Sequence, residues 1–194
     1  MEITTEAIKD LRDKTGISVM QCKKALEEAG GDATKALEIL ARKSRDLAGK
    51  KLDRTFGAGT VQAYIHGTKE IGAMVLLSCE TDFVSKNEEF IQLAYDIAMH
   101  AAALRPQYIR REQIPAEKLA EMKQSFVKEV EGKPEEMKEK ILEGKVSSLL
   151  SEMVLLEQRY IKDDSKTIQN LRDGAGQKFG ERTDVTELAI FRAK

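Results

Sequence analysis

The sequence lacks the features that mark several large classes of protein. Its two cysteines, Cys22 and Cys79, are far apart and form no CxxC pair, which argues against both a zinc site and a disulfide scaffold. No apolar run approaches the roughly 20 residues that a membrane-spanning helix needs. Neither HExxH nor GxSxG occurs, so two common hydrolase signatures are missing. A protein that binds a partner is therefore favoured over an enzyme.

Charge of neither sign dominates the chain. The 32 Lys and Arg residues face 33 Asp and Glu residues, which gives a formal net charge of -1. A chain that drew its binding energy from phosphate contacts would be strongly basic, so we expect a protein partner and no direct nucleic acid.

Hydrophobic residues at 41% and charged residues at 34% predict a soluble, helix-rich globular chain. The N-terminal residues show no hydrophobic signal segment, so we expect a cytoplasmic protein.

Residues 1–43 predict a small module of three helices. Thr5 is a candidate N-cap for the first helix, and Gly16 ends it. Ser18 with Gln21 forms a capping box for the second helix, and Asp32 caps the third. Because so short a module has a thin core, we expect it to act as a docking unit.

Residues 44–56 are predicted to form a basic linker. Residues 43–54 contain five basic side chains against two acidic ones. One interpretation is a solvated segment that continues the third helix, and the other is a stripe that binds phosphate.

Residues 57–194 predict a core of mixed structure. Val61, Ala63 and Ile65 alternate with polar residues as in a strand, and an apolar run from Ile71 to Cys79 returns as its hairpin partner. Helices are expected from Ser85 or Asn87, after Pro115, after Pro134 and near residues 168–179, and a third strand at residues 185–191. Gly132 and Lys133 are expected to join two of these helices as a helical hairpin. The fold class is therefore α+β, with a small antiparallel sheet of about three strands covered by helices.

The most informative segment follows the second predicted strand. It consists of Thr81, Asp82, Phe83 and Val84, and we call it the TDFV corner. A buried strand ends just before it and a helix begins just after it, so the chain must turn sharply here. An aromatic residue at such a corner either folds back into the core or projects as a plug for a partner.

Catalytic interpretations of this region are weak. Cys79 and His66 could form a nucleophilic pair, but the carboxylates that follow Cys79 would raise the pKa of its thiol. Glu80 and Asp82 are two residues apart on a strand, which gives a carboxylate pair no special geometry. His100 lies in a predicted helix and is interpreted as a satisfied surface or boundary histidine, not a ligand. We expect no enzyme, no cofactor and no metal.

A series of segments resembles the family of elongation factor Ts, the exchange factor of bacterial translation. They are residues 11–16, 20–26, 31–32, 64–66, 80–84, 98–100, 143–145 and 155–158, in the order and spacing of the family. The resemblance implies a ubiquitin-associated-like (UBA-like) domain of three helices followed by a core. The length is similar to that of short members with one core subdomain, which pair as homodimers. The implied partner is the translational GTPase elongation factor Tu in its GDP state, which is induced to release GDP so that GTP can bind.

The resemblance also implies which residues touch the partner. Thr81, Asp82, Phe83 and Val84 match the family motif that dislodges the partner's magnesium ion, where the phenylalanine wedges between two helices near the nucleotide. Arg12, Val19, Met20 and Lys23 match N-terminal positions that touch the GTPase domain.

The residues alone leave a second hypothesis open, that of an adaptor. Its three-helix module would bind ubiquitin-like or other helical ligands, and its core would serve only to form a dimer. The exchange-factor hypothesis requires Phe83 to be exposed in the free protein. A ten-thousandfold effect on nucleotide affinity needs about 5.5 kcal/mol of differential binding, so the N-terminal module must add contacts to those of one wedge.

Overall fold

A computed structural model describes residues 3–51, 53–127, 130 and 134–193. Over these ranges the chain is an α+β protein with eight α-helices and a small antiparallel sheet. The helices are α1 (Thr5–Thr15), α2 (Val19–Glu28), α3 (Ala33–Lys50), α4 (Asp82–Ser85), α5 (Glu88–Leu104), α6 (Ala116–Val127), α7 (Glu135–Met153) and α8 (Ile168–Phe179). The strands are β1 (Ala58–Ile65), β2 (Ile71–Cys79), β3 (Arg159–Tyr160), β4 (Asp163–Thr167) and β5 (Asp184–Arg192). Among the described residues, no helix is both long enough and apolar enough to cross a membrane.

The chain forms two compact units, each assembled from three segments. The first unit comprises Met1–Gln62, Leu76–Ala94 and Gln169–Thr186, and the second comprises Ala63–Val75, Tyr95–Ile168 and Glu187–Lys194. Helices α1 to α3, the TDFV corner and α8 belong to the first unit, apart from the first residue of α8.

The caps of the first three helices follow the sequence with one correction. The Ser18 hydroxyl accepts a hydrogen bond from the Gln21 amide at 3.4 Å, which is one half of the predicted capping box, and Asp32 caps α3 as predicted. Thr4, not Thr5, caps α1, because Thr4 has the extended backbone of a cap and its hydroxyl accepts from the Ala7 amide. The three helices enclose one apolar cluster, formed by Leu11, Ile17, Cys22, Ala25, Leu26, Ala36 and Leu40.

Helix α3 extends well into the predicted linker. It continues to Lys50, which confirms that the basic segment prolongs the third helix. The interpretation of this basic segment as solvated is wrong for two residues, since Ser44 and Lys51 are buried. Burial of Ser44 is compatible with its chemistry because its hydroxyl donates to the Leu40 carbonyl oxygen at 3.0 Å. The Lys51 ammonium donates to the Gly176 carbonyl oxygen at 3.1 Å, which fixes the end of α3 to α8.

The three-stranded sheet has the order β1-β2-β5, so the apolar strand β2 is central. One face of β1 is exposed, but it is the apolar face, with Ile65 69% exposed. In the second unit, Ile65, Met74 and Phe191 are exposed on the three neighbouring strands, and we call them the open sheet face. A groove of about 430 Å³ is lined by these three side chains and their neighbours.

The second unit contains a helical hairpin and a short β-hairpin. Helices α6 and α7 begin directly after Pro115 and Pro134, and they share the apolar cluster of Ile114, Met122, Val146, Leu150 and Val154. Gly132 and Lys133, which were predicted to join them, lie outside the described residues. The pair β3–β4 was not predicted, because β4 carries polar residues without apolar alternation.

His100 is a buried structural residue of the second unit. Its Nδ1 accepts from the Ile161 amide at 3.3 Å, and its Nε2 lies 3.0 Å from the Gln158 side-chain oxygen. Both ring nitrogens therefore have partners, as expected, but the expected position at the surface or its boundary is wrong, because the His100 side chain is fully buried.

Candidate partner interface

The TDFV corner contains a helical turn that the sequence did not predict. Strand β2 ends at Cys79, and α4 occupies Asp82–Ser85 before the long helix α5 begins. Of the two predicted starts for that helix, Asn87 is confirmed, because its side-chain oxygen accepts from the Glu89 amide at 2.9 Å. Ser85 is the last residue of α4. The corner therefore stands on a strand at one end and on a capped helix at the other.

Phe83 projects from this corner into solvent. Its side chain is 87% exposed, whereas the next residue, Val84, is buried at 7%. Burial of Val84 fixes the turn to the first unit and leaves the phenylalanine on its outer side. The prediction of an exposed Phe83 in the free protein is confirmed. An almost fully exposed phenylalanine ring contributes almost no burial free energy to the folded chain, so its apolar surface is available to a partner.

Asp82 carries a negative charge next to Phe83. Its carboxylate accepts a hydrogen bond from the Lys86 ammonium at 2.7 Å, one helical turn further along. This hydrogen bond lowers the pKa of Asp82, so the carboxylate is ionised at neutral pH. Both side chains are largely exposed, and such an ion pair adds little to stability. The pair presents a charged rim beside an apolar ring.

The residues before the corner do not form a catalytic site. Burial raises the pKa of the Cys79 thiol to about 11, and the thiol donates to the Thr81 carbonyl oxygen at 3.2 Å. A protonated, hydrogen-bonded thiol is a poor nucleophile. Burial alone would raise the pKa of Glu80, but hydrogen bonds from the Arg182 amide and the Arg54 guanidinium lower it overall.

Glu80 and Asp82 are therefore two ionised, paired carboxylates, and neither has the raised pKa of a general acid. Within the described residues, no group of three or more His, Cys, Asp or Glu side chains is arranged to hold a metal ion.

The predicted N-terminal contact residues are all exposed. Arg12 lies on α1, and Val19, Met20 and Lys23 lie on α2. Met20 is 68% exposed although it is a large apolar side chain. Because Lys23 follows Val19 by four residues and Met20 by three, the three side chains share one face of α2. That face combines apolar surface with a positive charge.

Helix α8 connects the N-terminal module to the base of the corner within the first unit. Gln177 hydrogen-bonds both Ser44 on α3 and Gln21 on α2. The next residue, Lys178, pairs with Glu89 in the first turn of α5. The Phe179 ring meets the Phe90 ring edge to face, with 5.7 Å between centroids. Sequence reasoning missed this connection, because nothing in an isolated polar helix end indicates its neighbours.

Comparisons with known proteins match nearly the whole chain. The family model described as Elongation factor TS matches residues 46–193. Elongation factor Ts of Desulforamulus reducens is 46% identical over 192 residues, covering 98% of this chain and 88% of that protein. The protein of the same name from Thermodesulfovibrio yellowstonii is 47% identical over 193 residues, covering 99% of this chain and 96% of its own length. Elongation factor Ts of Thermotoga petrophila is 44% identical over 191 residues, covering 98% of this chain and 96% of that protein. The chain belongs to the elongation factor Ts family.

Proposed function

We propose that this chain releases GDP from elongation factor Tu by inserting Phe83 next to the partner's nucleotide site. Elongation factor Ts is a family of nucleotide exchange factors, and exchange requires binding without chemical catalysis. The observation that supports the proposal most strongly is the 87% exposure of Phe83 on a corner fixed at both ends. In the proposed complex the ring wedges between two helices of the partner, and the disturbed magnesium and phosphate contacts release GDP.

The energetics require more than one point of contact. Burying a phenylalanine side chain yields about 1.5–3 kcal/mol, whereas a ten-thousandfold change in nucleotide affinity needs about 5.5 kcal/mol. By linkage, any weakening of GDP binding by this chain must equal the weakening of this chain's binding by GDP. The TDFV corner therefore acts with a second surface.

The proposed second surface lies on the N-terminal module. Arg12, Val19, Met20 and Lys23 are exposed there and offer apolar area with positive charge. We assign this role to a UBA-like docking domain at residues 1–43, followed by the basic segment at residues 44–56 and a core at residues 57–194. The connection of both surfaces through α8 supports their simultaneous use.

We further propose that two copies of the chain pair through the open sheet face. Ile65 and Phe191 are each 69% exposed and Met74 is 46% exposed, on three adjacent strands. An apolar face of one sheet can pack against a second copy of itself, and a two-fold dimer buries both faces in one contact. The proposed setting is the cytoplasm, with no cofactor, membrane or direct nucleic acid contact.

Release of fluorescent GDP from elongation factor Tu tests the proposal. Stopped-flow measurement after addition of excess unlabelled GDP should show a rate that rises with the concentration of this chain and then saturates. A GDP release rate that stays at the value of elongation factor Tu alone would contradict the proposal and leave the adaptor hypothesis.

A further inference from the structure

The direction of Phe83 is set by the backbone of its corner and not by its own packing. At 87% exposure the ring has almost no neighbours in the chain. Its orientation depends on how Thr81 leads the chain from β2 into α4. Thr81 has the extended backbone of an N-cap, with φ -127° and ψ 159°, but its side chain makes no capping hydrogen bond. An N-cap threonine ordinarily satisfies an amide of the first helical turn, so this hydroxyl serves another contact.

That contact is the carboxylate of Glu181. One oxygen of Glu181 accepts from the backbone amides of Glu80 and Thr81, at 2.9 Å and 3.0 Å. The other oxygen accepts from the Thr81 hydroxyl at 2.5 Å. Three donors of two consecutive residues therefore converge on one carboxylate, and hydrogen bonds to an ionised acceptor are stronger than neutral ones.

The contact is reciprocal, because Glu80 binds the residue that follows Glu181. The Arg182 amide donates to the Glu80 carboxylate at 2.5 Å, and the Arg54 guanidinium donates to the same carboxylate at 3.1 Å. The Arg182 guanidinium in turn lies 4.3 Å from the centre of the Phe56 ring. Two chain segments are thus joined by hydrogen bonds in both directions, directly before the TDFV corner.

Glu181 itself stands on a constrained turn between α8 and β5. Gly180 has φ +74°, which favours glycine at the end of a helix. The Thr183 hydroxyl donates to the Arg172 carbonyl oxygen at 2.9 Å and ties the turn back to α8. A Cβ at Gly176 would lie 3.2 Å from the Glu181 carbonyl oxygen, so the turn approaches α8 closely. The carboxylate is therefore presented from a fixed position.

We propose that Glu181 is a positioning residue for nucleotide exchange: by accepting three hydrogen bonds from Glu80 and Thr81, it aims Phe83 at the partner. This inference rests on the proposed function, in which Phe83 is the wedge. Glu181 touches neither partner nor nucleotide in this proposal. A wedge displaced by about 1 Å loses most of its effect, in the same way that catalytic groups lose roughly a hundredfold.

Glu181→Gln is the sharpest variant for testing this role. It preserves the size of the side chain, removes its charge and replaces one acceptor oxygen with an amide that can only donate. Thr81→Val removes only the hydroxyl and leaves two of the three hydrogen bonds in place. Glu152→Gln is the matched control, since Glu152 is an exposed glutamate outside the corner.

The first arm needs no partner. The chain contains no tryptophan, so Phe83→Trp creates a single tryptophan at the tip of the corner, which can be excited selectively over the four tyrosines. Time-resolved anisotropy should show a larger amplitude of fast local motion when Glu181→Gln is added to Phe83→Trp. Adding Glu152→Gln should leave that amplitude unchanged. An unchanged amplitude with Glu181→Gln would overturn the proposal, because the corner would then be held by other contacts.

The second arm measures GDP release from elongation factor Tu. Glu181→Gln should lower the saturating release rate by roughly tenfold or more, with a smaller change in the half-saturating concentration. Thr81→Val should lower the rate in the same direction by less. When Phe83 is already Ala, adding Glu181→Gln should cost little more, because there is no wedge left to aim. The proposal would be overturned if Glu181→Gln lowered the release rate by the same factor in the unmodified chain and in the Phe83→Ala chain. Equal losses would indicate a purely structural role for Glu181.

The two arms separate failure of this inference from failure of the proposed function. If the unmodified chain does not accelerate GDP release, the proposed function fails and the anisotropy alone decides whether Glu181 orders the corner. If the unmodified chain accelerates release and Glu181→Gln does so equally well, only the positioning role is overturned. If Glu181→Gln strongly lowers the melting temperature, the release rate of the Thr81→Val protein decides instead, because Thr81 is exposed. An unchanged release rate for Thr81→Val would then overturn the proposal.

Discussion

Replacement of Phe83 by alanine should separate exchange activity from stability. The side chain is 87% exposed, so its removal deletes almost no contact of the folded chain. Surface substitutions of this kind change the free energy of unfolding by about 0.5 kcal/mol or less. We therefore expect a thermal midpoint close to that of the unmodified protein.

The expected loss of activity follows from the same exposed ring. If the ring becomes fully buried in the partner, its removal costs about 1.5–3 kcal/mol of binding free energy. At 1.4 kcal/mol per factor of ten, the efficiency of GDP release should fall by roughly 10- to 100-fold. Stopped-flow release of fluorescent GDP from elongation factor Tu gives this efficiency as the initial slope of rate against concentration.

Phe90→Ala is the matched control because it makes the same chemical change seven residues away. Phe90 is completely buried and contacts the Phe179 ring. Its truncation should cost about 3–5 kcal/mol of stability, and the melting temperature should fall accordingly. A Phe83→Ala protein with a clearly lower melting temperature would show that Phe83 supports the fold, and one that releases GDP at the unmodified rate would show that Phe83 is not the wedge.

Four further predictions follow from other parts of the structure. Met20→Ala should raise the half-saturating concentration for GDP release while the melting temperature stays constant, because Met20 is exposed on the proposed docking face. Phe191→Glu should convert a dimer into a monomer in sedimentation equilibrium, since it places a charge on the open sheet face. Cys79 should react slowly with a thiol reagent at pH 7.5, because burial keeps its thiol protonated. Burial lowers the pKa of His100, so the free energy of unfolding should be constant above pH 6.5 and fall below it, by at most about 1.4 kcal/mol per pH unit from this group.

Each of these predictions has a result that would contradict it. A lower melting temperature for Met20→Ala would indicate a core role, and an unmodified protein that sediments as a monomer would remove the proposed dimer. Rapid labelling of Cys79 in the folded protein would show that the corner opens. For His100, the charged form is favoured in the unfolded chain, so stability must fall on acidification. A His100→Gln protein with the same decline between pH 6.5 and 5 would assign it to other groups.

The sequence predicted the features of the corner that depend on local patterns. The apolar run from Ile71 to Cys79 predicts a strand, and the cap at Asn87 predicts the start of a helix. Few residues lie between them, so the chain has little length with which to bury Phe83. The single turn of α4 could not be predicted, because four residues carry no helical periodicity. Glu181 could not be connected with Thr81, which lies 100 residues earlier, since no local pattern encodes such a contact.

The sheet also has features that local sequence patterns do not determine. Alternation in β1 predicts two different faces, but it does not say which of them the helices cover. The exposed apolar face, with Ile65 outward, became visible only in the three-dimensional structure. Strand β4 was missed because its sequence is polar throughout, and its existence depends on pairing with β3.

Phe83 is proposed to be exposed in the free protein and buried in the complex with nucleotide-free elongation factor Tu. Hydroxyl-radical footprinting with mass spectrometry measures this directly as the oxidation rate of Phe83. Phe83 should be oxidised rapidly in the free chain and strongly protected in the complex, while Met137, which is 53% exposed and lies outside the proposed interfaces, should retain its rate from the free chain. Equal oxidation rates for Phe83 with and without the partner would contradict its burial in the complex.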